Sequence, residues 1–263
     1  MTRRIARFLA DREPATPCLV VDLDVVAANY RKLRTAMPDA VIYYAVKANP
    51  AREILDLLVG LGSSFDAAGL NEIDMVLAAG GAPDRISFGN TIKKRADIAA
   101  AHARGVRLFA FDSRAELEKI AAAAPGSRVF CRILTSGEGA EWPLSRKFGC
   151  EPAMAHELLR LAEDLGVVPW GVSFHVGSQQ RDPQQWDRAI AESARLFRDL
   201  EQDGVEPRML NIGGGFPARY RRDIPTLCRY GACIRRSILA HFGNRVPDVI
   251  VEPGPGSSTP RWC

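Results

Sequence analysis

The chain has 263 residues, 47% of them hydrophobic and 25% charged, with a formal net charge of +4. Such a composition is globular and excludes disorder, collagen-like repeats and, with no apolar run approaching about 18 residues, a membrane span. The charge is too mild for the dense basic stripe of a nucleic-acid binder, so neither a nucleic-acid nor a membrane partner is expected.

The first segment, MTRRIARFLADREPATP, carries Arg3, Arg4, Arg7 and Arg12 and resembles a mitochondrial presequence only superficially. Asp11 and Glu13 argue against export, and Ile5, Phe8 and Leu9 fit a short amphipathic helix. An opening strand, CLVVD (18–22), and a helix over 25–37 follow. Then come eight β-like runs: VIYYAVK (41–47), SSFDAA (63–68), ISFGN (86–90), LFAFDS (108–113), RVFCRI (128–133), GVSFHVGS (171–178), MLNIGGG (209–215) and VIVEPG (249–254). Amphipathic stretches separate most of them: 51–61, 70–80, 114–124, 152–166 and 186–204. Several end in Gly, a common helix stop. This alternation predicts a parallel sheet with crossover helices. Eight units in this length favour an α/β (β/α)8 TIM-type barrel over an open doubly wound sheet, although no helix follows the eighth strand. The six cysteines, Cys18, Cys131, Cys150, Cys228, Cys233 and Cys263, form no CxxC pair and no zinc-spaced cluster, so no metal is expected. Reduced thiols in a cytoplasm are the default.

A barrel places its chemistry at the C-terminal ends of the strands. Those ends are Lys47, Asp66, Asn90, Asp112, Arg132, His175, the Gly213-Gly214-Gly215 run and Glu252. Lys47 follows an apolar run, where desolvation of its ammonium favours a neutral amine and Schiff-base formation; a snorkelling lysine at a strand end is the plainer reading. The three glycines let backbone N–H groups approach an anion, or simply make a tight turn. Glu252 can hold a cationic group, or cap a helix. His175 sits either at the mouth or as a satisfied core residue, with Ser178 and Gln179 extending its loop. Arg132 faces the mouth or a structural carboxylate. Asp66 orients a cation or caps the helix starting near Leu70. Jointly these groups describe one ligand: a phosphate, an aldehyde for a lysine and a ring nitrogen for a carboxylate. That ligand is pyridoxal 5'-phosphate.

The motifs YAVKANP, SFDAA, SFGN-IKK, SRKFG, SFHVGSQ, GGGFP and VEPG, in that order, resemble the barrel domain of the pyridoxal-phosphate-dependent ornithine/diaminopimelate/arginine decarboxylases, of the alanine-racemase-like fold type. SRKFG, HVGSQ and GGGFP together look most like ornithine decarboxylases. The resemblance implies that Lys47 forms a Schiff base with the cofactor and that Glu252 keeps the ring nitrogen protonated. It implies His175 on the ring face, with Lys47 and His175 the catalytic pair. Gly213, Gly214, Gly215 and Ser178 would hold the phosphate, and Asp66 and Arg132 would support the cofactor. The implied reaction is decarboxylation of a basic amino acid, ornithine to putrescine in polyamine synthesis, with lysine or diaminopimelate as alternative substrates.

The family also implies a C-terminal β-sandwich-like domain, which supplies the proton donor and acidic residues for the distal amine, and a head-to-tail homodimer. Here VEPG is followed by Pro255 and GSSTPRWC, where an arginine and an apolar run are expected. The chain is therefore expected to comprise residues 1–38 (helix, a strand that partners the missing β domain, linking helix), a cofactor barrel over 39–254 and an aberrant tail over 255–263, the mark of a frameshift or misassembled gene end. Dimerisation and turnover by a chain of this length are then doubtful. A non-catalytic homologue that binds a regulator is the competing reading, disfavoured by Lys47, Glu252 and the glycine run. A single-domain pyridoxal-phosphate carrier barrel is a third; it lacks HVGSQ and GGGFP.

Overall fold

The computed structural model describes residues 2–141, 147–217 and 224–254. Ser145 and Arg146 of the SRKFG motif and the tail over 255–263 lie outside them.

The N-terminal helix forms as the pattern predicts: α1 spans Arg3–Arg12, capped by Thr2, whose side chain accepts from the Ile5 N–H. The structure differs over 18–22. No ladder forms there, and Leu19 is 84% exposed. A strand exists through a ladder with a neighbour, and among the described residues none pairs with this run, whose Asp22 carbonyl serves α2 instead. Helix α2 (Leu23–Ala36) follows, capped by Asp22.

Eight parallel strands then close into a barrel in sequential order. They are β1 (Ala40–Ala45), β2 (Ser64–Ala67), β3 (Ile86–Phe88), β4 (Leu108–Phe111), β5 (Arg128–Arg132), β6 (Val168–Ser173), β7 (Met209–Asn211) and β8 (Asp248–Val251). The remaining helices are α3 (Arg52–Gly60), α4 (Leu70–Ala78), α5 (Arg95–Ala103), α6 (Arg114–Ala123), α7 (Pro152–Asp164), α8 (Gln185–Gln202) and α9 (Leu227–Phe242). Helix α2 packs against both α3 and α9. It thereby covers the seam between β1 and β8 in the helical ring.

Side chains alternate across each strand, so one strand serves two cores. Tyr43, Leu108, Ala110, Phe130, Met209 and Ile250 meet inside the barrel with Trp170. Tyr44, Phe65, Phe109, Phe111 and Leu210 belong to the larger core that packs against the helices. At the N-terminal end of the barrel stand Arg128 and Arg208, whose guanidinium carbons lie 4.9 and 5.8 Å from the Trp170 ring. Strands stop earlier than their apolar runs suggest, because the next polar residue already serves a loop. Ser113 caps α6 by accepting from the Glu116 N–H. Asp112 accepts from the Gly149 N–H at 2.9 Å. The IKK motif is used internally: Lys93, with a fully buried side chain, pairs with Glu116 at 3.0 Å, and Lys119 pairs with the same carboxylate at 2.6 Å. Burial pushes the Lys93 ammonium down to about 8.

Helices α2 and α9 approach closely. A Cβ on Gly231 would sit 2.1 Å from the Ala36 carbonyl oxygen. Gly231→Ala therefore forces two helix backbones apart and is expected to cost about 1–3 kcal/mol. Urea denaturation checks this; an unchanged midpoint would show that the helices part freely.

Candidate active site

The barrel gathers the sequence-predicted residues at the C-terminal ends of its strands. Lys47 does not extend β1. It sits in a one-turn 3-10 helix, Val46–Ala48, which turns its side chain across to β2. There its Nζ lies 3.8 Å from Asp66 Oδ2, with the lysine side chain 64% exposed and the aspartate 5%. The expected desolvation of the lysine is thus absent: the side chain is hydrated, and its partner is the buried one. Burial pushes the Asp66 carboxyl above its ordinary range, opposed by the charges of Lys47 and Arg132. Asp66 does not cap α4, whose first turn is preceded by Gly69. Its Oδ1 is buried without a hydrogen-bond partner.

Arg132 ends β5, and its guanidinium carbon lies 5.2 Å from the Phe148 ring centroid. Burial works against its charge, while Glu252, Asp112 and Asp66 favour it. His175 lies two residues beyond β6. Its Nδ1 accepts from the Gly177 N–H at 3.0 Å, and its carbonyl accepts from Thr135 Oγ1 at 2.7 Å. With Nδ1 an acceptor, the proton of the neutral ring sits on Nε2. Burial, with Arg132 and Lys47 nearby, pushes the imidazole down to about 3, so it is uncharged at neutral pH. Ser178 is half-buried in the same loop.

The glycine run follows β7 and leaves no room for side chains. Gly213 and Gly215 take φ of +66° and +96°, a region that favours glycine. A Cβ on Gly213 would lie 2.3 Å from the Phe174 oxygen, and one on Gly215 2.4 Å from the Gly177 oxygen. A Cβ on Gly214 would lie 2.4 Å from the Glu252 oxygen and 3.5 Å from His175 Nε2. Behind the loop, Trp186 stacks on Phe216 at 5.1 Å and donates to the Ile212 carbonyl at 3.3 Å. Glu252 is the first residue after β8, and its N–H donates to the Gly213 carbonyl at 2.9 Å. Burial first, then the nearby Asp66 charge, pushes its carboxyl up to about 7, against the pull of Asn211, Lys47 and Arg132.

Asn211 escaped the sequence reading. The last residue of β7, it donates through Nδ2 to Glu252 Oε1 and accepts the Gly213 N–H at Oδ1, 2.9 Å away. A lone polar letter inside MLNI was its only signal. Asp112 was noticed as a strand end, but its grip on Gly149 was not.

A mouth that offers an amine, a buried carboxylate, a neutral imidazole and a glycine loop has the donor set of a pyridoxal phosphate site. Comparison with known proteins agrees. Residues 23–257 match the family model described as pyridoxal-dependent decarboxylase, pyridoxal binding domain. The chain belongs to this family. It is 37% identical over 256 residues to the lysine/ornithine decarboxylase of Selenomonas ruminantium, covering 97% of this chain and 64% of that one. It is 34% identical over 217 residues to antizyme inhibitor 2 of Xenopus laevis, covering 82% and 48% respectively. A solved structure of SrLDC in complex with PLP and cadaverine superimposes with a TM-score of 0.89 at 35% identity, covering 98% of this chain and 65% of that one. The chain thus spans about half to two thirds of the length of the curated relatives it matches. The family's cofactor is pyridoxal phosphate. The residues present fit it: a loop where backbone alone can approach an anion, and buried acids beside a reachable lysine.

His175 and Glu252 shift in opposite directions, and the signs matter for stability. The unfolded histidine takes up a proton below its ordinary 6.5, which the folded one refuses until about 3, so stability is lost as pH falls through that window. The folded Glu252 holds a proton between its ordinary 4.5 and about 7, so its contribution is lost as pH rises through that window. Glu252→Gln is therefore expected to gain stability relative to the parent as pH rises from about 5 to about 8. Urea melts across that range test it; a constant difference would refute the assignment.

Proposed function

We propose that this chain is the cofactor-binding barrel of a decarboxylase acting on a basic amino acid, with L-ornithine giving putrescine as the reaction. The observation that carries the reading is the meeting of Lys47, from the turn after the first strand, with the electrostatic field of Glu252, from the end of the last, around one buried mouth. When bound, pyridoxal phosphate supplies an electron sink for the pair left behind by departing CO2.

The chain's own residues have separable tasks in this reading. Lys47 offers its amine on a flexible stem to the cofactor's aldehyde, and Asp66 balances its charge. Glu252 presents a carboxyl whose burial makes it a strong partner for a proton on the ring nitrogen. His175, uncharged and fixed at Nδ1 by Gly177, would offer the ring an imidazole face without adding a competing positive charge. Arg132 offsets the negative charge of Asp66, Asp112 and Glu252. Gly214, Gly215 and Ser178 would receive the phosphate through N–H and hydroxyl groups, and Gly213, whose own N–H is held by Asn211, would serve by lacking a side chain.

Lysine and diaminopimelate are the neighbouring substrates, and the proposal assigns the choice, together with the proton donor for Cα, to a second domain beyond the barrel. A homodimer and a cytoplasmic location belong to the same proposal. The relationship to antizyme inhibitor 2 supports a second reading, a homologue that binds a regulator without turnover. Lys47, Glu252 and an unobstructed glycine loop favour the first.

Addition of pyridoxal phosphate to the chain is expected to give a visible absorbance band that Lys47→Ala abolishes. No band in the parent chain would overturn the cofactor role and favour the regulator-binding reading. Turnover of L-ornithine by the 263 residues alone is expected to be negligible, since the distal-amine clamp is placed outside them. Measurable CO2 release by this chain would refute that division of labour.

A further inference from the structure

Asn211 stands between the two ends of the proposed cofactor without touching the tasks assigned above. Its side chain is buried, 2% exposed, at the seam of β7 and β8. Three bonds lace that seam. Asn211 Nδ2 donates to Glu252 Oε1, Asn211 Oδ1 accepts the Gly213 N–H, and the Gly213 carbonyl accepts the Glu252 N–H. The seam has no slack, because a Cβ on Gly214 would already collide with the Glu252 carbonyl.

An amide suits this place for a chemical reason. It is the neutral side chain that donates to a carboxylate with one end and accepts an N–H with the other. A carboxylate there accepts the N–H equally well, but meets Glu252 only if the two acids share a proton. An aliphatic side chain leaves both a buried carboxylate oxygen and a buried N–H unpaired.

We propose that Asn211 is a positioning residue that clamps the Glu252 carboxyl to the glycine loop, so that the partner of the ring nitrogen and the cradle for the phosphate keep one fixed spacing. This rests on the functional reading above, but the clamp itself exists in the chain without any ligand. Its effect is therefore read first on Glu252 alone. The charged and titratable groups facing that carboxyl are Asp66 on β2, Lys47 after β1 and Arg132 on β5. His175 after β6 stands across Gly214.

The experiment is a carbon-13 NMR titration of side-chain carboxyls in the unliganded chain, with Glu252 assigned by its loss in Glu252→Gln. In the parent the Glu252 midpoint is expected near 7. Asn211→Ala removes a bond that favours the charged form and is expected to raise the midpoint by about one pH unit or more. A purely structural residue would lower the melting temperature and leave the midpoint in place; an unmoved midpoint overturns the proposal. Should Asn211→Ala fail to fold, Asn211→Asp carries the test. It keeps the acceptor for Gly213 and is expected to split the titration into two separated steps; a single step at the parent's midpoint overturns the proposal. With pyridoxal phosphate as probe, Asn211→Ala is expected to weaken binding about tenfold in the parent and less than about threefold in the Glu252→Gln background. Equal losses in both backgrounds also overturn it. Failure of the parent chain to bind pyridoxal phosphate would sink the functional reading, while the titration would still decide the clamp.

Discussion

Closure of the barrel by β1 against β8 is the constraint on which the mouth depends. Ala40, Val41 and Ile42 register with Val249, Ile250 and Val251, and the Ala45 N–H carries the pairing past the strand to the Pro253 carbonyl at 3.3 Å. Lys47 and Glu252 stand immediately beyond that seam, from nearly opposite ends of the described chain. Without it the lysine and the carboxyl have no fixed relation. Neighbouring strands lie about 4.8 Å apart, so residues just past paired positions emerge side by side at the same end of the barrel. The seam also has a helical cover, α2, which precedes the first strand.

The mouth so formed holds groups that would be costly one at a time. Burial raises both the Asp66 and Glu252 carboxyls, and the nearby Asp66 charge raises Glu252 further. Arg132 and Lys47 oppose that rise. The same two cations, with burial, keep His175 neutral. The field is thus self-consistent: positive charge enough to hold the acids, and an imidazole that adds none. A ligand bearing a cationic ring nitrogen at one end and an anion at the other completes this arrangement. In the proposed site the anion would meet backbone N–H groups, whose dipoles need no proton and do not titrate.

Much of this was legible in the sequence, and the exceptions have physical causes. Eight apolar runs ending in polar residues gave the barrel, since period and length report burial directly. Lys47 and Glu252 stood out because a charge directly after an apolar run must go somewhere specific. The run 18–22 has the letters of a strand but no ladder, because pairing is a property of two segments and the sequence shows one. Helix α5 went unremarked because RADIAAAHA buries only Ile98 and Ala101, too few to make a stripe. Asn211 was invisible for the opposite reason. Its importance lies in two bonds to residues on either side of a turn, and neither bond leaves a periodic trace.

The two ends of the barrel show why the polar residues at the mouth are not mere punctuation. At the N-terminal end, Arg128 and Arg208 are also charges at strand starts, yet they lie against the Trp170 ring at the edge of an apolar core. Each guanidinium is held against a ring face, so these charges contribute to packing at that end of the barrel. At the C-terminal end Arg132 also lies near a ring, that of Phe148, but charged groups gather there around it. Asp66 keeps a buried oxygen without a partner, and Lys47 remains hydrated beside it. A fold optimised for stability alone would pair that oxygen or replace it with an apolar side chain. A buried oxygen left open beside an exposed amine suits the proposed cofactor site.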